Sequence, residues 1–330
     1  MILRKLGNTD IRLSVMGLGT WAIGGGNYQY GWGTQEDKDS IDTIHRSVEL
    51  GISWIDTAPV YGLGHSEKVV GQAIRGIRDK VIISTKCGFR WDENRKLFPS
   101  LKKESIRMEV EDSLKRLKID VIDLYQIHKP MPEEDIEEAW GQIKELVKKG
   151  KIRYAGVSSF SLEQLKRVQD ISPVSFIQPV YSMIQHGIEE EGILDYCAAN
   201  HIGVVVYSPM GSGLLTGKFT KEKVESLPAD DWRRKEAPFF QEPELSTNLE
   251  LVEKLRPIAE RNKKTLAQLA LAWTLRRPEV TSAIVGARRP SQIEQTAPAG
   301  DWVLSDLDKI QLDKILDNHH IQLKKLKEDS

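Results

Sequence analysis

Cysteine is nearly missing from this chain. Its 330 residues include two, Cys87 and Cys197, too few for a disulfide framework and without the close pairing of a metal motif, so no metal site is expected. No stretch approaches the ~20 apolar residues of a membrane-spanning helix, and Met1 to Gly7 lacks the apolar run of a secretion signal. Neither sign of charge is in excess. Lys plus Arg number 47 against 48 Asp plus Glu, with a pI near 6.7, which argues against nucleic acid or an anionic membrane as the main partner. Low-complexity tracts, sequence repeats and a clear domain boundary are missing as well. A cytoplasmic protein folding as one domain, residues 1–330, is the expectation, with enough chain to bury a core unaided.

The glycine motifs that hold phosphates are missing too. Gly17-Leu18-Gly19 and Gly24-Gly25-Gly26 do not extend to Gly-x-Gly-x-x-Gly, and after Gly62-Leu63-Gly64 the third glycine's place is taken by Glu67. The segment ending Gly217-Lys218 fails as a P-loop, because Ser212 stands at the first glycine and Phe219 replaces the Ser or Thr that would bind Mg²⁺.

What is present is an alternation of short apolar runs with amphipathic stretches. The runs fall near 15–18, 53–56, 81–86, 121–127, 152–157, 175–178, 203–207 and 282–285. Several are apolar at consecutive positions, as in Gly203-Val204-Val205-Val206-Tyr207, which suits parallel strands buried on both faces. Between them Ile106, Val110, Leu114 and Leu117, then Ile136, Trp140, Ile143 and Val147, repeat at helical spacing. Ser161 with Gln164 and Thr265 with Gln268 match capping boxes at helix starts. Eight strand-helix pairs close naturally into an α/β (β/α)8 TIM barrel. An N-terminal hairpin is expected from Ile2 to Leu6 and Ile11 to Val15. The long interval from Tyr207 to about Ser282 holds a polar stretch with Pro228, Asp231, Trp232 and Arg233, then an extra helix near 247–262, and reads as a lid or clasp between strands 7 and 8. Lys324 to Ser330 reads as a frayed tail, and His319-His320 as a surface pair.

Four residues suited to carbonyl chemistry fall at or just past strand ends: Asp56, Tyr61, Lys86 and His128. In a parallel barrel those ends share one face. A tyrosine is a weak acid, with an ordinary pKa of about 10, and needs a cation nearby to act as a proton donor. Lys86 is the candidate cation: at ~4 Å and an effective dielectric of ~20 an ammonium contributes roughly 4 kcal/mol before desolvation. Asp56 would hold the ammonium, and His128 would hydrogen-bond a carbonyl oxygen. Taken singly, a tyrosine or histidine at such a place is packing or structure about four times in five, and Asp56 with Lys86 is a structural ion pair about as often as not. Their joint placement after strands two, three and four favours an oxyanion site equipped for hydride delivery to a C=O carbon. Trp21, Tyr28, Tyr30, Trp32, Phe89 and Trp91 fall on loops at the same face and form a candidate aromatic wall.

With these residues in place, the chain resembles the aldo-keto reductase family, nearest to its bacterial general-stress and potassium-channel β-subunit-like branches. Gly51-Ile52-Ser53-Trp54-Ile55-Asp56-Thr57-Ala58, Asp123-Leu124-Tyr125-Gln126-Ile127-His128 and Gly156-Val157-Ser158-Ser159-Phe160 are each similar to family signatures. The resemblance runs to about residue 317 and makes Asp56, Tyr61, Lys86 and His128 a catalytic tetrad. It implies NADP(H) as cofactor, a small carbonyl or alcohol substrate and a monomer or weak oligomer. Gly19, Thr20 and Trp21 would border the nicotinamide ribose. Ser158, Ser159 and Gln178 would hold the carboxamide, and Tyr207 would stack on the ring. Ser208, Pro209, Met210, Gly211, Ser212, Gly213, Leu215, Gly217 and Lys218 would form the pyrophosphate loop. Gly286, Arg288, Arg289, Gln292 and Gln295 would hold the adenosine phosphate, with the arginines favouring NADPH. Ser159 stands where the family more often has Asn, Lys129 where many members have an aromatic, and Gln292 where many have Arg. The implied reaction is reversible reduction of aldehydes or ketones; the alternatives are a slow, cofactor-sensing regulatory protein and a sugar or polyol dehydrogenase. A barrel isomerase or phosphate-handling enzyme fits less well, having no need of Tyr207 or the two arginines.

Overall fold

The computed structural model describes residues 1–26, 28–229 and 231–328. Eight strands, β1 (Met16–Gly19), β2 (Trp54–Asp56), β3 (Ile82–Cys87), β4 (Ile122–Ile127), β5 (Ile152–Ser158), β6 (Phe176–Gln178), β7 (Gly203–Val206) and β8 (Val280–Gly286), pair in chain order. All of these pairings are parallel, and Ala283 to Gly286 of β8 pair with Met16 to Gly19 of β1, which closes the barrel. The consecutive valines of β7 explain its place: Val204, Val205 and Val206 are all buried, because one face meets the barrel interior and the other the helices outside.

Helices α1 (Asp37–Glu49), α2 (His65–Ala73), α3 (Lys103–Leu117), α4 (Ile136–Lys148), α5 (Leu162–Ile171) and α6 (Ile193–Ala199) follow β1 to β6 in turn. The interval after β7 carries a 3-10 turn at Gly211–Thr216, the short helices α7 (Lys221–Glu225) and α8 (Trp232–Lys235), then α9 (Glu244–Arg261) and α10 (Leu266–Thr274). Thus α9 is the expected extra helix. Both expected capping boxes form: Ser161 and Gln164 exchange bonds of 3.0 and 3.2 Å at the start of α5, as do Thr265 and Gln268 at α10. Of the expected α4 face, Val147 is 37% exposed and Leu146 is buried instead. At the last turn the 3.6-residue period carries the buried face from Ile143 to the residue three places on.

After β8 come α11 (Pro290–Thr296) and α12 (Asp306–Glu328). The tail expected to fray from Lys324 is helical through Glu328, while Asp329 and Ser330 lie outside the described residues. The reason is the length of helix already seated, with Leu312 and Leu316 buried against the core and the hydrogen-bond ladder propagating beyond them. His319 belongs to that seat rather than to the surface: it is buried, and its Nε2 lies 2.9 Å from Asn248 Oδ1 of α9.

The N-terminal hairpin, Leu3–Lys5 with Arg12–Ser14, closes the barrel's bottom. The hairpin strand residue Leu13 and the turn residues Leu6 and Ile11 join an apolar plug with Trp54, Leu124, Phe176, Val205 and Ile284. Each large apolar side chain buried there contributes ~1.5–3 kcal/mol. Gly17 is needed on β1 because any Cβ at that position would overlap the Trp54 ring. The indole N–H then donates to Ser282 Oγ at 2.9 Å, and Ser282 Oγ donates to the Ser14 carbonyl at 2.7 Å. Apolar layers thus fill much of the lower barrel, and Asp56, Lys86 and Gln178 lie at or near the C-terminal ends of their strands. No helix among the described residues is long and apolar enough to cross a membrane.

Candidate active site

Asp56 ends β2 and Lys86 comes one residue before the end of β3. The ammonium donates to Asp56 Oδ2 at 2.7 Å and to the Thr57 carbonyl at 2.8 Å, with both side chains almost wholly buried. Asp56 Oδ1 accepts from Gln178 Nε2 at 2.9 Å and Ser84 Oγ at 3.2 Å. The carboxylate therefore accepts from three donors on two strands, Ser84 and Lys86 of β3 and Gln178 of β6, which is the condition under which a buried pair holds a fixed geometry. Burial pulls the Lys86 pKa down, and Asp56 partly restores it.

A cavity of about 850 Å³ opens above this pair, and Asp56, Tyr61 and His128 border it. Tyr61, in the turn after β2, has Lys86 Nζ 5.1 Å from its ring centroid and the His128 ring edge-on at 5.9 Å. The expectation that Lys86 drags the phenol's pKa down is not met. Burial raises it well above the ordinary value, with the charge of Asp56 adding to the rise. The largest cause is desolvation of the phenol, which the ammonium 5.1 Å from its ring centroid, paired with Asp56, does not offset. His128 is pushed well below the usual imidazole range, first by burial and then by Lys86 and Lys129. Its ring is thus neutral near pH 7 and is flanked by Phe89 at 5.6 Å. The tetrad therefore presents a protonated phenol and a neutral imidazole to one point of the cavity.

The rest of the cavity gathers most of the expected cofactor residues. Gly19, Thr20, Trp21, Ser158, Ser159, Gln178 and Tyr207 line it, as do Ser208, Pro209, Met210, Ser212, Gly213 and Lys218 after β7 and Gly286, Arg288, Gln292 and Gln295 at and after the end of β8. Ser158 Oγ donates to the Gln178 carbonyl at 2.9 Å, and Ser159 Oγ lies 3.3 Å from the Tyr207 hydroxyl. Ser159, Ser208 and Ser212 have φ of 58°, 56° and 53°. Left-handed backbone at a non-glycine residue costs on the order of 1–3 kcal/mol and gathers at ligand sites.

Arg288 tests whether these residues suit a dinucleotide. Its half-buried guanidinium donates to Gln35 Oε1 at 2.7 Å, the Trp32 carbonyl at 3.2 Å and the Thr34 carbonyl, all neutral oxygens. Burial lowers its pKa, the neighbouring Arg233 and Arg289 lower it further, and Asp231 opposes them in part. A half-buried cation among cations fits a phosphate-bearing ligand.

Four expected cofactor residues do not border the cavity. Leu215 is buried in the main apolar core. Gly211 and Gly217, with φ of 55° and 71°, shape the turn from behind. Arg289 turns outward, its side chain 74% exposed and 3.7 Å from Asp39. Trp91 also leaves the expected aromatic wall, because it lies in an outer hairpin, Phe89–Trp91 with Leu97–Pro99, beneath Arg116. Trp21, Tyr28, Tyr30, Trp32 and Phe89 do line the cavity. Trp232 completes the wall, stacked on Trp21 with centroids 5.1 Å apart. Next to it Arg233 lies 4.4 Å over the Trp32 ring and is held by Asp231 through bonds of 2.9 and 2.6 Å. In the sequence Trp232 and Arg233 belong to the interval that reads as a lid or clasp, without being singled out as wall residues. Their signal was a bulky aromatic beside Arg in a stretch with no apolar periodicity to explain it.

The family model described as the aldo/keto reductase family matches residues 15–317. The chain belongs to that family. Aldo-keto reductase YhdN of Bacillus subtilis is 42% identical over 317 residues, covering 95% of this chain and 93% of the relative. The NADH-specific methylglyoxal reductase of Escherichia coli is 38% identical over 317 residues, with 92% and 94% covered. Among solved structures, a glycerol dehydrogenase of Gluconobacter oxydans matches with a TM-score of 0.86 at 38% identity, over 96% of this chain and 95% of that one. This aldo-keto reductase is accordingly an oxidoreductase of a family that uses nicotinamide cofactors.

Proposed function

We propose that this chain catalyses the reversible, NADPH-dependent reduction of aldehydes and ketones to alcohols. The observation that carries the reading is the saturated Asp56–Lys86 pair lying under Tyr61 and His128 at the cavity floor. Bound nicotinamide supplies the hydride. The chain's own residues do the rest. A carbonyl oxygen between Tyr61 and His128 accepts a hydrogen bond from the neutral imidazole and takes its proton from the Tyr61 hydroxyl. Lys86, kept charged and aimed by Asp56, stabilises the phenolate that forms. Because Tyr61 is held protonated, the resting site is set for reduction; alcohol oxidation needs the phenolate.

Ser158, Ser159 and Tyr207 are the groups that would fix the nicotinamide ring. Gln178 joins them through its Oε1, since its Nε2 is engaged by Asp56. Lys218 and the turn at Ser212 and Gly213 would take the pyrophosphate, and Arg288 the 2′-phosphate. A polyol-oxidising role is the second reading. Lys129, Gln185 and Glu236 add polar groups to the cavity lining beyond the expected cofactor residues, and one solved relative is a glycerol dehydrogenase.

The test is consumption of NADPH and of NADH with a panel of aliphatic aldehydes, aromatic aldehydes and sugars, and the reverse reaction with polyols. The reading expects aldehyde reduction with a lower KM for NADPH than for NADH. Turnover with NADH alone removes the role given to Arg288 as a phosphate reader, and tight cofactor binding without turnover on any substrate favours a cofactor-sensing protein.

A further inference from the structure

Arg288 follows β8, yet its side chain reaches the segment that follows β1. Its Nε, Nη1 and Nη2 donate to Gln35 Oε1, the Trp32 carbonyl and the Thr34 carbonyl respectively, and Gln35 Nε2 donates back to the Arg288 carbonyl at 2.9 Å. Gln35 also donates to Ser40 Oγ at 3.0 Å, which ties the segment to the first turns of α1. One side chain thus closes a reciprocal lock between the last barrel strand and residues 32–35. The lock has a load. Trp32 packs edge-on against Trp21 with centroids 5.3 Å apart, and Trp21 lies 6.2 Å from the Tyr61 ring, nearly parallel to it. A continuous run of contacts leads from Arg288 just after β8 to the phenol on the cavity floor.

We propose that Arg288 is a positioning residue for the substrate wall: its guanidinium latches residues 32–35 and so sets Trp32 and Trp21 beside Tyr61. The planar fork matters, because three donors in fixed directions meet three oxygens on different residues, which a lysine's single ammonium cannot do. A residue that served only to read a cofactor phosphate would leave the wall untouched when that phosphate is absent. The latch, by contrast, is made wholly of protein donors and acceptors.

The deciding measurement is hydrogen–deuterium exchange on the cofactor-free chain, comparing wild type with Arg288→Gln and Arg288→Lys. The peptide spanning residues 30–36 is expected to exchange roughly tenfold faster in both variants, the scale of losing one or two net hydrogen bonds. Peptides from α5, remote from the latch, are expected to stay unchanged. No acceleration at 30–36, or an equal acceleration in α5, overturns the proposal. The kinetic arm rests on the reductase reading and is run with NADH, which carries no 2′-phosphate: Arg288→Gln should raise the aldehyde KM several-fold while changing kcat little. Unchanged aldehyde KM with NADH, alongside weakened NADPH binding, also overturns it. Failure of the reductase reading shows separately, as absence of turnover in wild type, and leaves the exchange result to decide.

Discussion

Glu109 projects from α3 beneath the turn that follows β3. Its Oε2 accepts from the Gly88 N–H at 2.9 Å, and its Oε1 accepts from Ser105 Oγ at 3.0 Å. Burial raises its pKa from 4.5 to about 8, against the lowering effect of those bonds and of Arg90. The buried Cys87 thiol and Tyr125 phenol share the pocket and are pushed up as well, mainly by burial. Between the ordinary carboxylate range and pH 8 the folded chain therefore keeps a proton on Glu109 that the unfolded chain releases. The stability this group contributes is fully present below the unfolded pKa and is lost as pH rises to about 8. At 1.36 kcal/mol per pKa unit, a shift of this size makes the loss on the order of 5 kcal/mol. Glu109→Gln keeps an acceptor oxygen and removes the ionisation. Urea midpoints measured at pH 5, 6.5 and 8.5 are expected to show the variant gaining on wild type across that range, from near parity or a small deficit at pH 5. Parallel pH curves for the two proteins would refute the reasoning.

Asp56→Ala strands the buried Lys86 ammonium and should cost about 3–5 kcal/mol, read as a lower urea midpoint; an unshifted midpoint contradicts the saturated-pair geometry. Because the His128 pKa lies well below the usual range, the reduction rate should show no limb near pH 6.5. A limb there that disappears in His128→Gln counts against a neutral imidazole. At the barrel's lower end, Asp123 holds Arg78 at 2.7 Å, Arg153 at 3.0 Å and the Ile83 N–H at 2.9 Å. Asp123→Ala should cost about 2–3 kcal/mol of stability with the KM values unmoved, and a changed KM would mean that the two ends of the barrel are coupled.

The barrel was legible in the chain because each strand is a short apolar run and a closed parallel sheet is one of few ways to bury such runs on both faces. The tetrad was legible for a related reason: strand ends converge on one mouth, so Asp56, Lys86 and His128 could be placed together without knowing any side-chain direction. Direction was the missing quantity elsewhere. Arg288 and Arg289 are neighbours of the same type, yet one faces the cavity and the other faces Asp39. Lys86 is near Tyr61, but its donors point at Asp56 and Thr57. His319 and His320 looked alike until the packing of α12 on α9 buried the first. Trp232 joins the cavity wall beside Trp21 and Trp32, both of which lie far from it in sequence.

The central claim is that Tyr61 delivers the proton at the carbonyl oxygen. Its direct test is NADPH consumption with an aldehyde that wild type reduces, repeated with Tyr61→Phe after cofactor affinity has been matched by fluorescence quenching. In the variant kcat should fall by about 10²–10⁴-fold, the usual contribution of a positioned general acid, at unchanged cofactor affinity. Equal rates in the two proteins would contradict it.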